Sequence, residues 1–349
     1  MSSFYLEFRD PLFSIIILFA IIFVISFFSY WWGRYKTKDN HKYLDRFLEQ
    51  FRSPLDDEDI KEIIAKSNLS QKSWLMLASS YVKNGDFEKA IAIYSELLRS
   101  DYEAQNTKEI MFLLGKTYFK AGFLGRSRDV FLEILRNYPR TPQALHYLLL
   151  VYEHMRDYQA ALEVLEPLDI LEEDISKESF YLRILSLINA QDIDTELKKQ
   201  EIVFLYQEHK ALERMVFEYL FRVDTPLAWK HIPLECVEKL ADILWQLPKE
   251  AVDFDIISKN KFLTQLYSAK GYLDTKVRSD LFELDVLIHL DPEVKADINF
   301  EYNCTKCKVV FPFGFHRCSS CHSIDTVELE YNLIKGFDKG FYEARDSFL

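Results

Sequence analysis

Near the C-terminal end of this 349-residue chain, Cys304-Thr305-Lys306-Cys307 and Cys318-Ser319-Ser320-Cys321 form a C-x2-C-x10-C-x2-C pattern. Two-residue spacing lets a tight turn aim both sulfurs at one point. Two such turns facing each other supply the four thiolates a tetrahedral metal needs. The surrounding Tyr302, Val309, Val310, Phe311, Phe313 and Phe315 are too few to bury a self-sufficient core, so metal binding would provide most of this module's folding free energy. Disulfides would call for an oxidising compartment. A thioredoxin-like redox site uses one pair beside a βαβ unit, which the pattern does not provide. Catalytic zinc keeps a position open for water, whereas four cysteines close the tetrahedron, so the expected ion is structural. Thiolate geometry suits zinc and iron alike. Zinc is the expectation, and iron, with electron transfer, the alternative. His316 and His322 flank the second pair and could substitute as ligands, although positions beside the ligand set or in solvent are expected for them, and Cys236 stands apart as a buried thiol.

Composition limits what the remaining chain does. Lys and Arg total 43 against 55 Asp and Glu, a formal charge of −12, and no basic stripe interleaved with aromatics favours nucleic acid. Glycine (9) and proline (10) are scarce, as in helical proteins with few special turns. There is no phosphate-binding loop, no G-x-S-x-G, no H-E-x-x-H and no glycine-rich dinucleotide turn, so a non-enzymatic protein is expected. The acidic runs at 56–59 and 172–174 fit helix starts, where carboxylates favour the dipole.

Residues 11–33 carry no charge and are dominated by Ile, Leu, Phe and Val, closing on Tyr30, Trp31 and Trp32. About 20 such residues in a helix span a bilayer, and the aromatics suit its interface. Arg34, Lys36, Lys38, Lys42 and Arg46 follow the stretch, with Arg9 before it. The bias predicts a single span with residues 1–10 outside and the C-terminal bulk in the cytoplasm. Residues 34–70 then read as short juxtamembrane helices.

Three segments over 71–175 share a helical-pair pattern near 34 residues. The first runs Trp74, Leu77, Ala78 and Tyr81, turns at Gly85-Asp86, and continues Phe87, Ala90, Tyr94 and Leu97. The second runs Met111, Leu114, Gly115, Tyr118, Gly122, Leu124, Ser127, Phe131 and Ile134. The third runs Leu145, Leu148, Leu149, Tyr152, Arg156, Tyr158, Ala161, Leu165 and Leu168. Small residues let paired helices approach while aromatics fill the gaps. This resembles the tetratricopeptide repeat (TPR), which stacks into a solenoid with first helices lining its inner wall. The wall residues would be Leu75, Ser79, Val82, Phe112, Lys116, Phe119, His146, Leu150 and Glu153. Either a partner or another part of this chain could cover them. Residues 176–298 continue as degenerate helical pairs, with expected helices at 180–190, 195–209, 212–221, 234–247, 255–270 and 276–290. The expected fold class is therefore mainly α: an N-terminal transmembrane helix, a TPR-type α-solenoid and a small C-terminal rubredoxin-like four-cysteine zinc ribbon at 299–333, with a tail at 334–349.

A single span ending Tyr30-Trp31-Trp32-Gly33-Arg34, TPR repeats, the paired cysteines and the tail Gly336-Phe337-Asp338-Lys339-Gly340 together resemble the lipopolysaccharide assembly protein B (LapB, or YciM) family. The resemblance implies an adaptor in the bacterial inner membrane, N-terminus periplasmic and bulk cytoplasmic. Such adaptors regulate lipopolysaccharide synthesis by presenting the LpxC deacetylase to the FtsH protease, and they answer to an inner-membrane lipopolysaccharide sensor. It places the metal on Cys304, Cys307, Cys318 and Cys321. Lys308 departs from the glycine usual in a rubredoxin knuckle, which weighs against iron. A general TPR scaffold for envelope assembly is the alternative function, and homo-oligomerisation is left open.

Overall fold

The computed structural model describes residues 23–24, 26–28, 64, 69–99, 106–275, 277–291 and 294–335. It divides into two compact units, Met1–Gly122 and Phe123–Leu349.

In the first unit, α1 (Gln71–Asn84), α2 (Phe87–Arg99) and α3 (Thr107–Lys120) form consecutive antiparallel packings. The Ser70 hydroxyl accepts from the Ser73 N–H and starts α1. Gly85, at φ 86°, ends it in the left-handed region that glycine occupies without a Cβ penalty. Trp74, Ala78 and Tyr81 of α1 are buried, as are Ala90, Tyr94 and Leu97 of α2. On α3 the small Gly115 is buried beside Met111 and Leu114.

The second unit opens with α4 (Leu124–Asn137) and α5 (Pro142–His154), followed by α6 (Tyr158–Glu163) and α7 (Leu165–Ile170). The second helix of this third repeat is broken at Val164. Pro167 lies in the first turn of α7 and offers no N–H to a carbonyl one turn back. Arg156 takes the turn position that glycine holds in the first two repeats, at φ 60° beside Gly85 at 86° and Gly122 at 79°. The turn is otherwise conserved in geometry: Asp86 N–H donates to Tyr81 O and Asp157 N–H to Tyr152 O, each at 2.9 Å.

Beyond it run α8 (Ser176–Asn189), α9 (Thr195–His209), α10 (Glu213–Val223), α11 (Thr225–His231), α12 (Ala241–Gln246), α13 (Phe254–Ile257), α14 (Lys261–Ala269) and α15 (Phe282–His289). The first three follow the expected spans closely, whereas those beyond 223 are shorter than the apolar periodicity suggests. The expected helix at 234–247 divides into a 3-10 turn, Val237–Leu240, and α12. The one at 255–270 divides because the Asn260 side chain accepts from the Leu263 N–H and restarts the helix as α14. The chain ends in an antiparallel sheet of order β2-β1-β3, with β1 Ala296–Cys304, β2 Val310–Phe311 and β3 Val327–Lys335. Alternation along β1 buries Ile298, Phe300, Tyr302 and Cys304 on one face.

The expected transmembrane helix over 11–33 is overturned. A span needs about 20 consecutive apolar residues in one continuous helix, and no helix among the described residues is long and apolar enough to cross a membrane. Of that stretch, Phe23, Val24, Ser26, Phe27 and Phe28 are described, and the rest lies outside the described residues. With the span falls the expected placement as a single-pass inner-membrane protein with a periplasmic N-terminus and cytoplasmic bulk. The expected helices of 34–70 lie outside the described residues apart from Ile64, Leu69 and Ser70, as does the tail beyond Lys335. The corrected class is a mainly helical TPR-type fold with a C-terminal four-cysteine cluster on a small sheet.

Candidate metal centre

Strand β1 delivers Cys304 at its last residue, where the chain turns back toward β2. Lys308 N–H donates to Cys304 O at 2.8 Å, and Cys304 N–H to Val309 O at 3.0 Å. The second pair repeats the turn: His322 N–H donates to Cys318 O at 2.8 Å, and Cys318 N–H to Ser323 O at 2.9 Å. Both turns close through a left-handed residue, Lys308 at φ 60° and His322 at φ 61°. Neither is a glycine, so each carries a Cβ penalty that the fold must offset. Thr305 N–H donates to Thr326 O at 2.8 Å, joining the first knuckle to the start of β3.

The four sulfurs converge, all within 4.8 Å of one another. Cys304 and Cys321 stand 3.7 Å apart, as do Cys307 and Cys318. A disulfide would hold two sulfurs at about 2.05 Å. A tetrahedral thiolate site with metal–sulfur bonds of about 2.3 Å has edges of about 3.8 Å. The cluster therefore fits a metal ion, and these cysteines are close enough to bind one. Hydroxyls attend the sulfurs: Thr326 lies 3.3 Å from Cys304 Sγ and Ser323 3.4 Å from Cys321 Sγ. Burial acts to raise the Cys304 thiol, but the Thr326 hydroxyl and the backbone N–H groups of Cys307 and Lys306 bring it down to about 6. The Ser323 hydroxyl lowers Cys321, while burial pushes Cys318 up to about 12. His316 is directed elsewhere, with Nε2 3.3 Å from Glu218 Oε2, and the His322 ring packs edge-on to Tyr147.

The ribbon is fastened to the helices by buried charge at two places. At the first, Arg214 of α10 pairs two-pronged with Asp242 of α12, and the Tyr302 hydroxyl of β1 donates to the same carboxylate at 2.9 Å. Gly314 makes room there, since a Cβ on it would stand 2.6 Å from Arg214 Nη2. At the second, Arg317 Nε lies 2.8 Å from Glu153 Oε2 of α5, and its guanidinium stands 4.8 Å from the centre of the Tyr181 ring. Sequence reasoning missed Arg317, Tyr181, Thr326 and Ser323 as members of this region. Proximity to the cysteines marked three of them, but no local pattern links Arg317 to a helix more than a hundred residues earlier.

The expected wall residues fall in both units. In the first, Leu75, Val82, Phe112 and Phe119 are half-buried and Ser79 is exposed, while the Lys116 ammonium lies 5.7 Å from the centre of the Phe112 ring. In the second, Leu150 is buried. His146 Nε2 lies 3.8 Å from Glu173, and Glu153 is held by Tyr181 and Arg317.

Residues 71–103 and 112–167 match family models described as tetratricopeptide repeat. These segments are TPR repeats, a module that indicates protein–protein interaction. The chain is similar to the TPR repeat-containing protein YpiA of Bacillus subtilis (strain 168), at 25% identity over 162 residues. The match takes in 46% of this chain and 37% of that protein, so the chain spans little more than a third of its relative's length.

Proposed function

We propose that this chain is a non-enzymatic adaptor: TPR repeats at 71–175, extended by TPR-like pairs at 176–298, hold a protein partner, and a zinc ribbon at 299–333 locks the end of the array. The observation that carries this reading is the convergence of Cys304, Cys307, Cys318 and Cys321 in a module tied by buried charge to TPR helices. Zinc on these four thiolates would supply folding free energy rather than reactivity, because four sulfurs leave no position for water. Within the first unit the partner-binding face would be lined by Leu75, Ser79, Val82, Phe112, Lys116 and Phe119.

The resemblance to lipopolysaccharide assembly protein B supports a finer reading, in which the chain presents an LpxC-type deacetylase to an FtsH-type protease and answers to a lipopolysaccharide sensor. Removing the chain from its cell and following the lifetime of the deacetylase tests it. A lengthened lifetime, restored by the wild-type chain and not by Cys304→Ser, is expected. An unchanged lifetime removes this role and leaves a general scaffold.

A further inference from the structure

Arg317 immediately precedes Cys318, and its side chain points away from the sulfurs into the helices. It is 6% exposed, and the Glu153 side chain that it meets is 10% exposed. Its Nη1 lies 3.4 Å from Glu178 Oε1 of α8 and donates to the His322 carbonyl at 2.9 Å. The Tyr181 hydroxyl of α8 donates to Glu153 Oε1 at 2.8 Å, and the Tyr181 ring lies beneath the guanidinium. Two carboxylates and an aromatic face make a receptor for one arginine. The arginine that fills it comes from the cysteine knuckle.

The His322 carbonyl makes this arrangement more than a docking contact. His322 follows Cys321 and takes the left-handed turn that closes the second knuckle, so the ligand turn itself orients the guanidinium. We propose that metal occupancy of the four cysteines and seating of Arg317 between Glu153 and Glu178 are one coupled equilibrium, a metal-operated latch on α5 of the third repeat. With the knuckle formed, Arg317 places one positive charge between two carboxylates and covers the face of α5 that carries Glu153. With the knuckle loosened, that pocket loses its cation and becomes a site for an arginine presented by another protein. Coupling is reciprocal, so removing Glu153, which is 164 positions from Arg317 in sequence and is not a ligand, must weaken metal binding.

The inference rests on the metal reading of the cysteines, and the test separates the two. The full chain, stripped by a chelator under reducing conditions, is titrated with zinc against a chromophoric chelator. Failure of the wild type to take up one zinc removes the metal reading itself. Given uptake, Arg317→Gln and Glu153→Gln are each expected to weaken zinc affinity at least tenfold, as changes to groups that orient ligands do. Lys177→Ala, which removes the more exposed pair to Asp325, is expected to stay within twofold. A loss below threefold in both Arg317→Gln and Glu153→Gln overturns the latch. Hydrogen exchange provides a second readout that a folding defect would not imitate. Zinc is expected to slow exchange of the α5 amides around Glu153 in the wild type and to leave them unchanged in Glu153→Gln. Wild-type α5 amides indifferent to zinc overturn the latch as well.

Discussion

Replacing Asp242 by Ala strikes the other fastening of the ribbon. The carboxylate lies between the Arg214 guanidinium and the Tyr302 hydroxyl, with the Arg214 and Asp242 side chains 8% and 3% exposed. Deleting it leaves a guanidinium in the interior without a counter-charge, a loss of about 3–5 kcal/mol for a broken buried pair. The Tyr302 hydrogen bond to a charged group, worth about 1.5–3 kcal/mol by itself, is lost in the same event and does not add in full. The expected total is about 4 kcal/mol. Because desolvating both charges is costly to begin with, the double substitution Arg214→Met with Asp242→Leu should recover most of the loss. Urea unfolding combined with native-state hydrogen exchange of the α10 and α12 amides measures both. A loss under about 1 kcal/mol for Asp242→Ala, against the 3–5 expected, refutes the reasoning. So does a double variant as damaged as the single one.

Gly314→Ala forces a Cβ to 2.6 Å from Arg214 Nη2 and 3.3 Å from Tyr302 Cε1, and since Asp242 fixes that guanidinium, a cost of about 1–3 kcal/mol is expected in urea unfolding. At Arg156, held at φ 60°, Gly should prove more stable than Ala by about 1 kcal/mol, because only the former takes the left-handed turn without strain. Lys270 is lowered to about 8 by burial, against the opposing pull of Asp297. The unfolded chain therefore binds more protons than the folded one between about pH 8 and 10.4, and this lysine's destabilisation is full below that window and relieved as pH rises through it. Measured against Lys270→Met, which lacks the titrating group, wild-type stability should accordingly rise across that window in pH-dependent melts.

Local chemistry was legible in the sequence and long-range pairing was not. Trp74, Ala78, Ala90 and Tyr94 stand in the core as their helical spacing suggests, because a repeat's packing is written within some 34 residues. A C-x2-C turn is equally local, and the sulfurs that its spacing directs to one point lie within 4.8 Å. Arg317 meets Glu153 and Glu178 through the stacking of helices, and no spacing in the chain announces it. The apolar period over 255–270 runs on as in one helix, whereas the Asn260 cap interrupts it. At 11–33 an uncharged apolar run closed by aromatics and flanked by positive charge suggested a span, but no helix among the described residues is long and apolar enough to cross a membrane.

What fills the four-sulfur cluster decides whether a metal ion locks the end of the helical array. X-ray absorption at the metal edge, with elemental analysis of the full chain purified under reducing conditions, reads it in one experiment. One zinc per chain with four sulfurs at about 2.3 Å is the predicted result. A metal-free chain with its cysteines joined in disulfides, or a metal bound through nitrogen and oxygen, would contradict it.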